Sequence, residues 1–214
     1  FSDIKLEDED SVTDRFARKS NDRLLDICVI KTPWISNFTD FDVFDHFDDL
    51  NLRYASAADE IGKPDMLILP GSKNTIADLG FICSEGIDRV IHSLHEDGTI
   101  IAGICGGFQM LGSSIDDPFE VEGDVTSCIG LALIPMVTVL EREKITKRVC
   151  GAVASENEIF AGIKGLPVSG YEIHMGRSML PPGAAPLTLT GNGEGGIISG
   201  NILGTYIHGI FDNM

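Results

Sequence analysis

One strand-to-helix junction constrains this chain more than any other segment. Thr99-Ile100-Ile101-Ala102 is an apolar run without polar alternation, the pattern of a strand buried on both faces. It leads into Gly103-Ile104-Cys105-Gly106-Gly107-Phe108-Gln109-Met110-Leu111-Gly112. A cysteine framed by glycines thus falls where the strand turns into a helix. This is the layout of a nucleophile elbow, with sulfur in place of the usual hydroxyl. The small neighbours permit a tight, strained turn that pushes one side chain into the open. The helix that follows aims its first N–H groups at that side chain, where they favour a thiolate and can stabilise an oxyanion. Cys105 therefore reads as a nucleophile rather than as core packing.

The segments around this junction alternate in the same way. Leu25–Ile30, Leu52–Ser56, Met66–Leu69 and Thr99–Ile104 read as strands. Helices are predicted over Asp40–Leu50, near Ile76–Gly80, over Gly86–Asp97 and from Cys105 to about Leu111. Buried strands alternating with helices imply an α/β fold with a mostly parallel central sheet flanked by helices. The second half changes character. Ile129–Leu140, Arg148–Val153, Gly170–Met175, Leu187–Leu189 and Gly195–Ser199 read as strands joined by Gly/Pro turns, an antiparallel β-rich insertion. Ile202–Ile207 is a final strand leading into His208.

The first 24 residues are polar and include Glu7-Asp8-Glu9-Asp10. They read as a linker or the end of a preceding domain, with one catalytic domain over 25–214. The chain starts at Phe1 and stops at Met214, shortly after His208, so it reads as a piece of a longer protein, truncated at its C-terminus. A net charge of −17 opposes binding to nucleic acid or anionic membrane. No apolar run reaches the roughly 18 residues of a membrane span, and the acidic first residues do not read as a signal peptide. The five cysteines are scattered without a C-x-x-C pair. That pattern points away from a disulfide framework or a metal site and toward a reducing cytoplasm.

In open α/β sheets, functional groups gather at the carboxyl ends of strands. Three such ends stand out: Leu69-Pro70-Gly71-Ser72-Lys73-Asn74-Thr75, the Cys105 elbow, and Thr205-Tyr206-Ile207-His208-Gly209. A thiol nucleophile needs a base, and histidine suits neutral pH. His46, His92 and His95 have polar neighbours and read as surface residues. His208 and His174, each at a strand end, are rivals for the base. Acyl transfer also needs an oxyanion hole. Gly106 N–H is one donor, and Gly71 or Ser72 is the candidate for the second. Lys73 lacks phosphate-loop spacing, and Gly191-Asn192-Gly193-Glu194-Gly195-Gly196 reads as a hairpin turn.

Together these strings resemble the class I glutamine amidotransferase domains, of the type that forms the C-terminal part of cobyric acid synthases. The resemblance also runs through Pro33-Trp34-Ile35-Ser36-Asn37-Phe38-Thr39-Asp40-Phe41-Asp42 and Gly170-Tyr171-Glu172-Ile173-His174-Met175-Gly176, and on through Gly204–Asn213. It implies a flavodoxin-like sheet and hydrolysis of glutamine through a Cys105 thioester. His208 is then the base and later the acid, Gly71 and Gly106 form the oxyanion hole, and Gln109 and Ser72 help hold the substrate. Glu172 and His174 become supporting candidates. Many class I members carry a Glu two residues after the histidine, where this chain has Ile210. The resemblance therefore implies a Cys–His dyad, with Asp212, four residues on, the acid that could substitute. It further implies no cofactor or metal in this domain. ATP and Mg²⁺ belong to an N-terminal synthetase domain of the same polypeptide, which also holds the corrinoid acceptor, adenosylcobyrinic acid a,c-diamide. Other amide synthases of this type, and a stand-alone cysteine amidohydrolase, are the alternatives.

Overall fold

The computed structural model describes residues 25–155 and 157–213. The polar segment 1–24, read above as linker, lies outside the described residues.

The central sheet forms from β1 (Leu25–Ile30), β3 (Leu50–Ala55), β4 (Met66–Leu69), β6 (Ile100–Ile104), β13 (Ile197–Ser199) and β14 (Ile202–Thr205). Their spatial order is β13-β14-β6-β4-β1-β3. Every neighbouring pair is parallel except β13 with β14. Side chains alternate across these strands, so one strand feeds two cores. Cys28, Ile30, Leu67, Leu69 and Ile101 face one side, with Leu79, Ile82, Ile91 and Phe108 of the helices. Ile27, Val29, Ile68, Ala102 and Ile104 face the other, with Phe41, Phe44, Val149, Val153 and Val168.

The first face is covered by α1 (Ala58–Ile61), α2 (Thr75–Ser84), α3 (Ile87–Glu96) and α4 (Gly106–Met110). In α3, Ile87, Ile91 and Leu94 recur at helical spacing and are buried. Asn74 caps α2 by accepting a hydrogen bond from Ala77 N at 2.9 Å. The predicted helix over 40–50 is a 3-10 helix at Phe38–His46, and its buried Phe41 and Phe44 plug the second face.

The rest of that face is covered by the second, mostly antiparallel sheet, which contains β7 (Ser114–Asp116), β8 (Ser127–Ile129), β9 (Val137–Val153), β10 (Pro167–Met179), β11 (Thr188–Thr190), β12 (Gly193–Gly195) and β15 (Ile207–His208). Its β7–β8 end instead joins the first core through Ile115 and Cys128, and β7 runs parallel to β9. Two predicted strands are in fact one. The stretch 137–153 runs unbroken because β10 pairs with it from Pro167↔Ala152 to Met179↔Val137. Ladder hydrogen bonds, rather than burial, hold the exposed middle of β9. One irregularity falls between Met175 and Arg177, where Gly176 takes φ +111°.

The predicted last strand divides. β14 stays in the parallel sheet, whereas β15 leaves it to pair with β10 through Tyr171↔His208 and Glu172↔Ile207. His208 therefore sits where the chain crosses from one sheet to the other.

Gly107 shows how tightly the elbow is seated. A Cβ on Gly107 would stand 2.0 Å from the Leu69 carbonyl oxygen, a backbone atom of β4. The α4 backbone thus rests directly on the sheet. Gly107→Ala should destabilise the fold by about 3 kcal/mol through overpacking. A thermal melt should show a loss of roughly 10 °C; an unchanged melting temperature would mean that the junction can open.

Candidate active site

β4, β6 and β14 are neighbours, so the three distinctive strand ends converge. Cys105 is central: its N–H donates to Thr205 O at 2.8 Å, and Gly107 N donates to Pro70 O at 2.9 Å. Cys105 takes φ +51° and ψ −107°, a strained conformation for a residue with a Cβ. The elbow predicted from the glycine frame is present. Its predicted exposure is not: Cys105 is buried, and its Sγ lies 3.7 Å from the carbonyl oxygen of Ile173 on β10. The insertion roofs the thiol.

His208 is 1% exposed. Its Nδ1 donates to Asp40 Oδ2 at 2.7 Å, while Nε2 is buried with no partner. The Tyr171 ring stacks on the imidazole at 5.3 Å and 26°, and Asn37 Nδ2 donates to the Tyr171 hydroxyl at 2.9 Å. Burial alone would depress the His208 pKa. Asp40 and the neighbouring Cys105 thiol outweigh it and push the imidazole from 6.5 up to about 9. The imidazolium form is thus favoured at neutral pH, beside the sulfur that would need a cation to become a thiolate.

The rival histidine is engaged elsewhere. His174 Nδ1 donates to Gly176 O at 3.0 Å, and its Nε2 lies 3.5 Å from Glu172 Oε2. The ring stacks on Tyr206 at 3.7 Å. Glu172 also pairs with Lys147 at 3.0 Å. Burial raises the Glu172 pKa, but His174 and Lys147 prevail and hold it below the ordinary carboxylate range. These residues brace β10 over the elbow.

Gln109 is buried in the wall of the site. Its Oε1 accepts from Thr75 Oγ1 at 3.3 Å, and its Nε2 donates to Met175 O at 3.1 Å and to the Tyr206 hydroxyl at 3.2 Å. Both ends of its amide tie α4 to neighbouring elements. Ser72 donates its hydroxyl to Asp78 Oδ2 at 2.6 Å. Asp78, fully buried, also accepts from Thr32 Oγ1 and Trp34 N, so it fastens two loops bordering the site.

The comparisons with known proteins agree with this architecture. Residues 26–214 match the CobB/CobQ-like glutamine amidotransferase domain. The chain belongs to that family. It is 45% identical, over 99% of its own length and 43% of theirs or nearly so (42% in the second case), to the cobyric acid synthases of Moorella thermoacetica and Clostridium acetobutylicum. This amidotransferase domain thus spans less than half the length of those relatives. Its fold is similar to that of PurLQS from Thermotoga maritima (TM-score 0.65, 20% identity, 86% of this chain and 87% of that one). A second solved glutamine amidotransferase matches with TM-score 0.62 at 14% identity, covering 88% of this chain and 92% of the other.

The amidotransferase domain holds an acid that the sequence reading missed. Asp40, 5% exposed, bonds His208 from 168 positions away and accepts from Gly209 N at 3.0 Å through its other oxygen. Asp212 makes no hydrogen bond with His208; its backbone N–H closes a turn on Gly209 O at 3.1 Å. The available signal was an acidic residue just before Phe41 and Phe44, whose spacing marks a buried face. Among the described residues, no cluster of three or more His, Cys, Asp or Glu could hold a metal ion, and no helix is long and apolar enough to cross a membrane.

Proposed function

We propose that this domain hydrolyses glutamine at Cys105 and releases ammonia. The observation that carries the reading is the buried His208 Nε2, without a hydrogen-bond partner, beside a thiol on a strained elbow. The Cys105 sulfur attacks the side-chain amide carbon of glutamine. His208 gives its Nε2 proton to the departing nitrogen, and ammonia leaves a glutamyl thioester. His208 then takes a proton from water, which attacks the thioester; glutamate leaves and the thiol is restored.

The developing oxyanion needs two N–H donors. Gly106 supplies one. The short ladder between β2 (Ile35–Ser36) and β5 (Gly71–Ser72) favours Ser72 over Gly71 for the other. Lys73 N donates to Trp34 O at 2.8 Å, which makes that pair a hydrogen-bonded one. Hydrogen-bonded and non-bonded pairs alternate in an antiparallel ladder, so Gly71–Ser36 is of the bonded kind and Ser72 turns its N–H away from β2. Ser72 N lies 3.0 Å from where a Cβ on Gly106 would stand. Gly71 instead leaves room for the imidazole: a Cβ there would stand 3.4 Å from His208 Cε1. Gln109 acts on substrate position indirectly, by tying α4 to β10.

The ammonia serves an amide synthesis. Relatives named cobyric acid synthase, of whose length this domain covers less than half, support delivery of the ammonia to a synthetase domain of the same polypeptide; we propose that the synthetase domain uses ATP and Mg²⁺ to amidate adenosylcobyrinic acid a,c-diamide. All five cysteines are free, which supports a reducing cytoplasm as the working compartment. Glutamine labelled with ¹⁵N in its amide provides the test. Glutamate and labelled ammonia should appear in equal amounts, and asparagine, one methylene shorter, should release none. Equal turnover of asparagine, or none of glutamine, would overturn the assignment.

A further inference from the structure

We propose that Asp40 is the positioning acid of this site: its bidentate hold on His208 Nδ1 and Gly209 N fixes the imidazole with Nε2 toward Cys105. The inference rests on reading Cys105 and His208 as the working pair.

Three observations carry it. The first is geometric. Asp40 Oδ2 lies 2.7 Å from His208 Nδ1 and Oδ1 lies 3.0 Å from Gly209 N, so one carboxylate grips both ring and backbone. A carboxylate only accepts, so Nδ1 must carry a proton and Nε2 is left as the exchanging nitrogen. The second is burial. Asp40 and His208 are 5% and 1% exposed, so little solvent reaches the pair to screen it. The third is how Asp40 is held. It lies in the 3-10 helix Phe38–His46, entered through Asn37 at φ +52° and seated by Phe41 and Phe44. Phe211, three residues past His208, packs against Phe44 at 5.0 Å between ring centroids. The acid and the histidine segment are thereby packed as one unit.

This changes the reading made from sequence. Ile210 occupies the position two after His208, which pointed to a dyad. The acid instead comes from the loop after β1, at the other side of the sheet order. The charged and titratable groups around the pair are few. Cys105 faces His208 from the elbow, and Tyr171 stacks on it from β10. Asp212, in the final turn, has its pKa raised by burial first and then by Asp40 and Asp42. An extra acid is therefore nearby but not bonded to the ring.

The test is ¹H–¹⁵N NMR of the protein labelled in its histidine rings, with the His208→Asn spectrum assigning the His208 signals. In the wild type, His208 should titrate near 9 and, above that pH, remain as the Nδ1–H tautomer. The titration midpoint in Asp40→Asn should fall by about two pH units. The alkaline limb of kcat/KM should move to lower pH with it, and kcat should drop about a hundredfold with little change in KM. Asp212→Asn should leave midpoint and tautomer as in the wild type. A midpoint and alkaline limb unmoved in Asp40→Asn would overturn the proposal. So would an Nε2–H tautomer in the wild type, a reading that does not depend on Asp40→Asn folding. Neither NMR observable requires glutamine. A wild type that titrates as stated yet leaves glutamine intact would refute the substrate and leave Asp40 in its role.

Discussion

Cys105→Ala should abolish glutamine hydrolysis, lowering kcat/KM by at least about a thousandfold, while the melting temperature stays near that of the wild type. The sulfur is the only atom removed. The backbone at residue 105 is held by its N–H to Thr205 O and by the seating of α4 on β4, neither of which involves the side chain. Alanine accepts the φ of +51° no worse than cysteine does. A large fall in activity without a fall in stability therefore separates chemistry from packing. Turnover near the wild-type rate would remove the nucleophile assignment outright.

His208→Asn should lower kcat by about a hundredfold to ten-thousandfold, the usual contribution of a positioned acid–base group. His174→Asn should lower it by less than about tenfold and act mainly on stability. The two histidines are both buried, and both pair with a carboxylate, so burial does not distinguish them. Their second ring nitrogens do. His174 uses both nitrogens within the protein, on Gly176 O and Glu172. His208 uses one on Asp40 and leaves Nε2 unpartnered beside the thiol. Steady-state glutamine hydrolysis with both variants, beside their melting curves, decides the matter. The reverse order of damage would hand the base role to His174.

The parts of the site that were legible from sequence are those set by local chain geometry. Gly103–Gly112 announces a strained turn because a Cβ at Gly107 would collide with the β4 backbone, and no other residue type fits. Met66–Leu69 and Ile100–Ile104 announce buried parallel strands because nothing polar interrupts them. Their carboxyl ends then had to meet, which brought Gly71, Ser72, Cys105 and His208 together. What stayed illegible depends on contacts distant in sequence. The Asp40–His208 bond joins positions 168 apart, and nothing in the string around Asp40 marks which group it will meet. The burial of Cys105 comes from β10, which the elbow motif does not encode. The orientation of the Gln109 amide follows from Tyr206 and the Met175 carbonyl, partners that the string around Gln109 does not reveal. The length of β9 was hidden for the opposite reason. Its polar middle lacks a buried face, and only pairing with β10 makes it strand.

The most direct test of the central claim uses 6-diazo-5-oxo-norleucine, a glutamine analogue that alkylates a nucleophilic cysteine in a glutamine site. The protein is treated with it and mapped by peptide mass spectrometry. The account predicts one adduct, on Cys105, suppressed by excess glutamine and absent in Cys105→Ala, with the exposed Cys83 and Cys150 unmodified. An adduct on those exposed thiols with Cys105 untouched, or labelling of Cys105 that glutamine does not suppress, would contradict a glutamine site built on this elbow.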